Sequence, residues 1–142
     1  MLKKIVLIMF CFLLTGCGSQ SIAFDVSTQD RVQITMNSSL FDLKTDKDTF
    51  VLYDANQQKV AEGLFIPKET YESLVQEKEK VDILEDSKKK NDPYFLCKVE
   101  NSYIYVLFLH KSQTGIYLTC QTSQKEAKRL FENLDVKILE NS

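Results

Sequence analysis

The side chain best suited to chemistry stands near the start of the sequence. Cys17 closes the run Leu14-Thr15-Gly16-Cys17 behind the apolar stretch Ile5–Leu14. A thiol is the most nucleophilic side chain near neutral pH, and the small Thr15 and Gly16 leave room for an enzyme, so covalent attachment at sulfur is the reaction this position invites. The other candidates are weaker. The single histidine, His110, precedes Lys111-Ser112, but nucleophilic catalysis needs a third group and an oxyanion site. No Gly-x-Ser-x-Gly elbow is present, so His110 reads as a turn or cap residue. Zinc would have only Cys97, Cys120 and scattered carboxylates beside it. Asp42, Asp46 and Asp48 offer oxygen ligands without the glycine turn and terminal glutamate of a calcium loop, and read as solvated turn carboxylates. Phosphate loops and dinucleotide fingerprints are missing, and four glycines leave little scope for variants. The expectation is no catalytic residue, no metal and no cofactor.

Around Cys17 the sequence has the order of a secretory signal: basic Met1-Leu2-Lys3-Lys4, apolar Ile5–Leu14, then a small-residue exit. The apolar run is about half of the roughly 20 residues that span a bilayer as a helix, which marks it as a cleaved segment. Leu14-Thr15-Gly16-Cys17 resembles the lipobox of bacterial lipoproteins. That resemblance covers residues 1–17 and implies cleavage before Cys17, diacylglycerol (palmitate-type chains) on its thiol and acylation of the new amino terminus. Two or three chains hold a domain stably where one does so only marginally, each buried methylene contributing about 0.8 kcal/mol. The implied organisation is a signal peptide at 1–16, a lipidated tether at 17–21 and one domain at 22–142. The implied location is the extracytoplasmic face of the cell membrane, or the outer membrane in a host that has one.

Loss of Lys3 and Lys4 with the signal leaves 16 basic against 20 acidic side chains, a formal charge of −4. Such a domain has no electrostatic attraction to nucleic acid or anionic headgroups. Its 126 residues suit one core and are short for a two-lobed solute-binding protein.

Strands dominate the pattern behind the anchor. Ile22–Val26 and Val32–Met36 alternate around the polar turn Ser27–Arg31 as a hairpin, followed by short strands at Leu40–Leu43 and Thr49–Tyr53. Lys59–Ile66 is a strand that Pro67 ends, and Tyr71, Leu74 and Val75 give the helix Lys68–Lys80 a narrow apolar face. Val81–Leu84 reads as a short strand, and Glu85–Asp92, with its three lysines bracketed by acids, as a charged surface loop. Tyr94–Val99, Tyr103–Leu109 and Gly115–Gln121 form a meander. Tyr103, Tyr105, Leu107 and Leu109 alternate with Ile104, Val106 and Phe108, so both faces of its middle strand need cover. Ser123 and Glu126 form a capping box ahead of Ala127, Leu130, Phe131 and Leu134 at helical spacing. Val136–Leu139 completes the set as an edge strand. The expected class is α+β, a largely antiparallel sheet flanked by two helices as a sandwich. Its element order is similar to the Mog1/PsbP-like sandwich, a likeness that implies no function.

Cys97 and Cys120 remain as an even pair in an exported domain, which suggests a disulfide. In a three-strand meander, however, outer strands lie about 9.6 Å apart, beyond the roughly 7 Å reach of a disulfide. A bulge would admit the bond; two buried thiols are the alternative. Tyr53, Tyr103, Tyr105 and Tyr117 read as packing residues rather than a binding platform. Anchor and missing chemistry together imply a non-catalytic accessory or binding domain with a protein partner. The rival readings are a small cell-envelope hydrolase or metal-dependent enzyme, and an immunity-type lipoprotein.

Overall fold

The computed structural model describes residues 18–139, which fold into two packed antiparallel sheets with two short helices. In chain order the elements are β1 (Gln20–Asp25), β2 (Arg31–Met36), β3 (Asp42–Asp46), β4 (Thr49–Tyr53), β5 (Lys59–Pro67), α1 (Lys68–Glu77) with a 3-10 turn at Lys78–Lys80, β6 (Asp82–Lys89), β7 (Asp92–Val99), β8 (Ser102–Phe108), β9 (Thr114–Cys120), α2 (Gln124–Glu132) and β10 (Leu134–Leu139). The larger sheet runs β3-β4-β5-β9-β8-β7-β6 and the smaller β1-β2-β10. The signal peptide and the lipobox residues Leu14–Cys17 lie outside the described residues.

The smaller sheet follows from alternation. Val32, Ile34 and Met36 of β2 are fully buried, while Gln33 and Thr35 face away. Their cross-strand partners continue the pattern: Phe24 and Ile138 flank Val32, and Ile22 and Val136 flank Ile34. A one-residue slip would turn this inner face to water, which fixes the register.

A single sheet flanked by helices is therefore only partly what forms. The architecture is sheet-dominated with two short helices, but the β1–β2 hairpin leaves the main sheet and takes β10 as its third strand. The reason is that β2 buries every inward residue and has two edges to satisfy; a period of two states which face is buried and not which strand lies alongside.

In the larger sheet β8 is interior, between β9 and β7. Tyr105 and Leu107 enter the core shared with the smaller sheet and α2, whereas Ile104 and Val106 join Ile66, Phe95 and Cys97 beneath α1. Phe108 stacks on Tyr71 of α1 at 4.9 Å. No residue of α1 is fully buried, and only Tyr71, Leu74 and Val75 lie against the sheet. In α2 the Ser123 hydroxyl accepts the Glu126 amide at 3.2 Å, and Ala127, Leu130 and Phe131 are buried.

The charged stretch Glu85–Asp92 is not a surface loop. β6 runs to Lys89 and turns at Lys90-Asn91, whose φ of 52° and 71° are those of a two-residue hairpin turn, and Pro93 lies inside β7. Charge is tolerated because β6 is an edge strand, where charged side chains also deter further pairing.

Candidate functional site

At its amino-terminal end, β1 begins only three residues after Cys17. Gln20 pairs with Met36, and its side-chain oxygen accepts the Leu43 amide at 2.8 Å. Gly18, at φ 94°, passes close to Ser39, a backbone conformation that side chains rarely adopt. A chain of polar contacts then crosses the end of the smaller sheet. Ser19 donates to Asn37 at 3.2 Å, Asn37 to Asp135 at 2.6 Å, and Lys90 pairs with the other Asp135 oxygen at 2.7 Å. Burial alone would raise the Asp135 pKa, but the hydrogen bonds from Lys90 and Asn37 hold it below the usual carboxylate value.

The opposite end of β1 opens into a groove of about 410 Å³, lined by Phe24, Asp25, Val26, Ser27, Asp48, Thr49, Leu64 and Phe65. Three elements build it: the β1–β2 turn, the tight β3–β4 turn in which Lys47 takes φ 57°, and the outer part of β5. Two of its lining residues, Phe24 and Phe65, belong to an aromatic trio completed by the buried Phe50. Phe24 lies 5.0 Å from Phe65 and 6.3 Å from Phe50, and Phe50 lies 5.9 Å from Phe65, all tilted as ring quadrupoles prefer. Leu64 is 39 % exposed at the rim. Two carboxylates and no cation line the opening; Arg31 stands 3.7 Å from Asp25, and Asp48 has no ion pair among the described residues.

No family model, curated protein or solved structure matches this chain. What the domain can do must be read from its own geometry.

His110 does meet a partner that spacing could not reveal. Asp92, buried at the start of β7, accepts the His110 backbone amide at 2.9 Å and contacts the ring Nδ1, which fixes the partly exposed ring. Ser112 takes no part, because its hydroxyl donates to the Leu109 carbonyl within the turn. Asp42 stands at one end of β3 and Asp46 at the other, so the three carboxylates weighed as calcium ligands do not converge; Asp42 accepts from Gln57 at 3.3 Å. Among the described residues no group of three potential ligands could hold a metal, and no helix is long and apolar enough to cross a membrane.

Cys97 and Cys120 are both free and buried. Cys97 sits opposite Ile104 on the α1 side, Cys120 opposite Tyr103 on the core side, with β8 between them. The bond that an even count suggested is thus not made: alternation sends the two thiols to opposite faces. Burial pushes the Cys97 thiol up and the Cys120 thiol up to about 12, far from thiolate reactivity.

The tyrosines pack rather than display. Tyr105 is stacked 3.9 Å from Phe131 of α2, and Tyr103, half-buried, carries Lys98 5.9 Å above its ring. Tyr117 is half-buried beneath α1, and Tyr53 carries Lys44 at 5.1 Å. The groove was the feature hidden from sequence. Phe24 and Phe65 belong to different sheets and are 41 positions apart, and the local sign was an aromatic residue near the end of each strand.

Proposed function

We propose that the protein is a lipid-anchored binding domain of α+β sandwich type on the extracytoplasmic face of the cell membrane. Residues 1–16 are its signal peptide and Cys17 carries the lipid; its task is to engage a partner rather than to catalyse a reaction. The observation that carries this reading is Leu14-Thr15-Gly16-Cys17 placed immediately ahead of a strand that begins at Gln20. Because β1 starts at Gln20 rather than at Ile22, only Gly18 and Ser19 of the expected 17–21 tether lie between Cys17 and the first strand, which is consistent with a domain held close to the bilayer and its groove at the other end of β1. Gln20 and Asp25 lie five steps apart along the strand, about 17 Å at the usual rise.

The His110–Asp92 pair favours a hydrolase as the second reading, since a carboxylate on Nδ1 is how a general base is oriented. It ranks second because Ser112, the nearest hydroxyl in sequence, is engaged with the Leu109 carbonyl.

The test is metabolic labelling with a palmitate analogue, membrane fractionation and mass analysis of the amino-terminal peptide, with Cys17→Ala alongside. A lipid-modified Cys17 at the mature terminus, with label and membrane retention lost in Cys17→Ala, is the expected result. An unlabelled, unprocessed or freely released native protein would overturn the reading.

A further inference from the structure

We propose that the groove between the β1–β2 turn, the β3–β4 turn and β5 binds an organic ammonium cation carried on a small apolar body. The inference rests on the reading of the protein as a binding domain and names the chemistry of its ligand. Four observations carry it.

The first is size. About 410 Å³ falls within the range of small-molecule pockets and would admit a ligand of roughly ten heavy atoms. The second is the aromatic lining. Phe24 and Phe65, 5.0 Å apart in the aromatic trio, are only partly buried and both line the groove. An ammonium group over such a face is attracted by the ring quadrupole, and its apolar body gains contact with Val26 and Leu64. The third is charge. Asp25 and Asp48 stand on the lining with no cationic side chain among them, which favours a cation and repels an anion of the same shape. Asp25 already has Arg31 at 3.7 Å, so Asp48 is the carboxylate left to meet the ligand. The fourth is position. The groove lies at the end of β1 remote from the tether, where a solute reaches it without crossing the anchored face.

The neighbouring sites do not compete for this role. The apolar cleft of about 90 Å³ beside α1, lined by Leu74, Val81, Phe95 and Cys97, is too small and carries its own Lys78.

Saturation-transfer NMR on the lipidated full-length protein in nanodiscs, with empty nanodiscs as blank, tests the inference using benzyltrimethylammonium, benzyl alcohol and phenylacetate as probes. Only the cation is expected to bind at millimolar concentration or below, and added salt weakens it. Asp48→Asn is expected to weaken it by about threefold to tenfold with the fold unchanged by circular dichroism. Phe24→Leu, which keeps an apolar side chain and removes the ring, is expected to weaken it as well. Equal binding of the neutral or anionic probe, an unaltered affinity in Asp48→Asn, or no binding of the cation would overturn the proposal. Cys17 is checked by mass in the same preparation, so an unlipidated protein that binds the cation and a lipidated one that does not are told apart.

Discussion

Cys120 illustrates how a residue's surroundings decide its chemistry. It is fully buried, opposite Tyr103 on β8 and Ala61 on β5, and burial raises its thiol from 9.0 to about 12. Tyr94 is pushed from 10.0 up to about 12, first by burial and then by its hydrogen bond to Glu85. Each group is harder to ionise folded than unfolded. The unfolded chain therefore releases these protons first, so the stability they contribute is intact below about 9 and is lost as pH rises toward about 12. The denaturant midpoint should be flat from neutral pH to about 9 and then fall. In Cys120→Ala the early part of that fall should shrink; an unchanged alkaline limb would clear the thiol of responsibility. Lys89 shows the opposite sign. Burial lowers its pKa, yet its ammonium donates to the carbonyls of Phe131 and Leu134 and lies 4.6 Å over the Phe131 ring, closing the end of α2. As one of three consecutive lysines it looked like part of a solvated charge run, because sequence carries no sign of a contact 42 positions away.

Individual elements were legible where pattern and local chemistry agreed. The Ser123 cap, the spacing of Ala127, Leu130 and Phe131, and the two-faced β8 all form as their residues dictate. The β6–β7 hairpin was not legible, because Lys90-Asn91 is an uncommon pair for two positive φ angles and the charges hid an edge strand. β5 holds a constraint of its own. A Cβ added at Gly63 would stand 2.1 Å from the Phe50 ring, so the ring lies directly over this backbone. Phe50 is fully buried and cannot swing into water. Gly63→Ala should destabilise by about 3 kcal/mol or more, the upper end of overpacking costs. Because the two sites share one contact, Gly63→Ala combined with Phe50→Ala should cost less than the sum of the single variants in urea denaturation. Strict additivity would mean that the ring is not what the glycine accommodates.

For the whole molecule the question is what holds the two sheets at one angle. Besides the aromatic trio, a polar clasp joins the β1–β2 turn to the start of β9. Asp30 accepts from the Gln113 amide at 3.0 Å and from the Thr114 hydroxyl at 2.6 Å, and the Thr28 hydroxyl completes the cluster. Thr114 is fully buried, so removing Asp30 leaves its hydroxyl with Thr28 alone and takes the side-chain acceptor from the Gln113 amide. Asp30→Ala should cost about 1–3 kcal/mol and speed hydrogen exchange at the Gln113 amide, whereas Asp30→Asn, which keeps an acceptor oxygen, should cost less. Equal losses in both variants would place the effect in charge rather than in the hydrogen bonds. The clasp also supports the groove, since Val26 and Ser27 belong to the turn that Asp30 pins.

Residue type and spacing alone determined the signal-like amino terminus, the thiol at Cys17, the strand-rich pattern and the α2 cap, because each depends on neighbours within a few positions. The tertiary structure decided that β10 joins β2, that Cys97 and Cys120 face apart, that Asp92 meets His110, and that Phe24 and Phe65 share a groove. Those outcomes depend on which strands lie side by side, a choice made by the burial of whole faces rather than by any local segment.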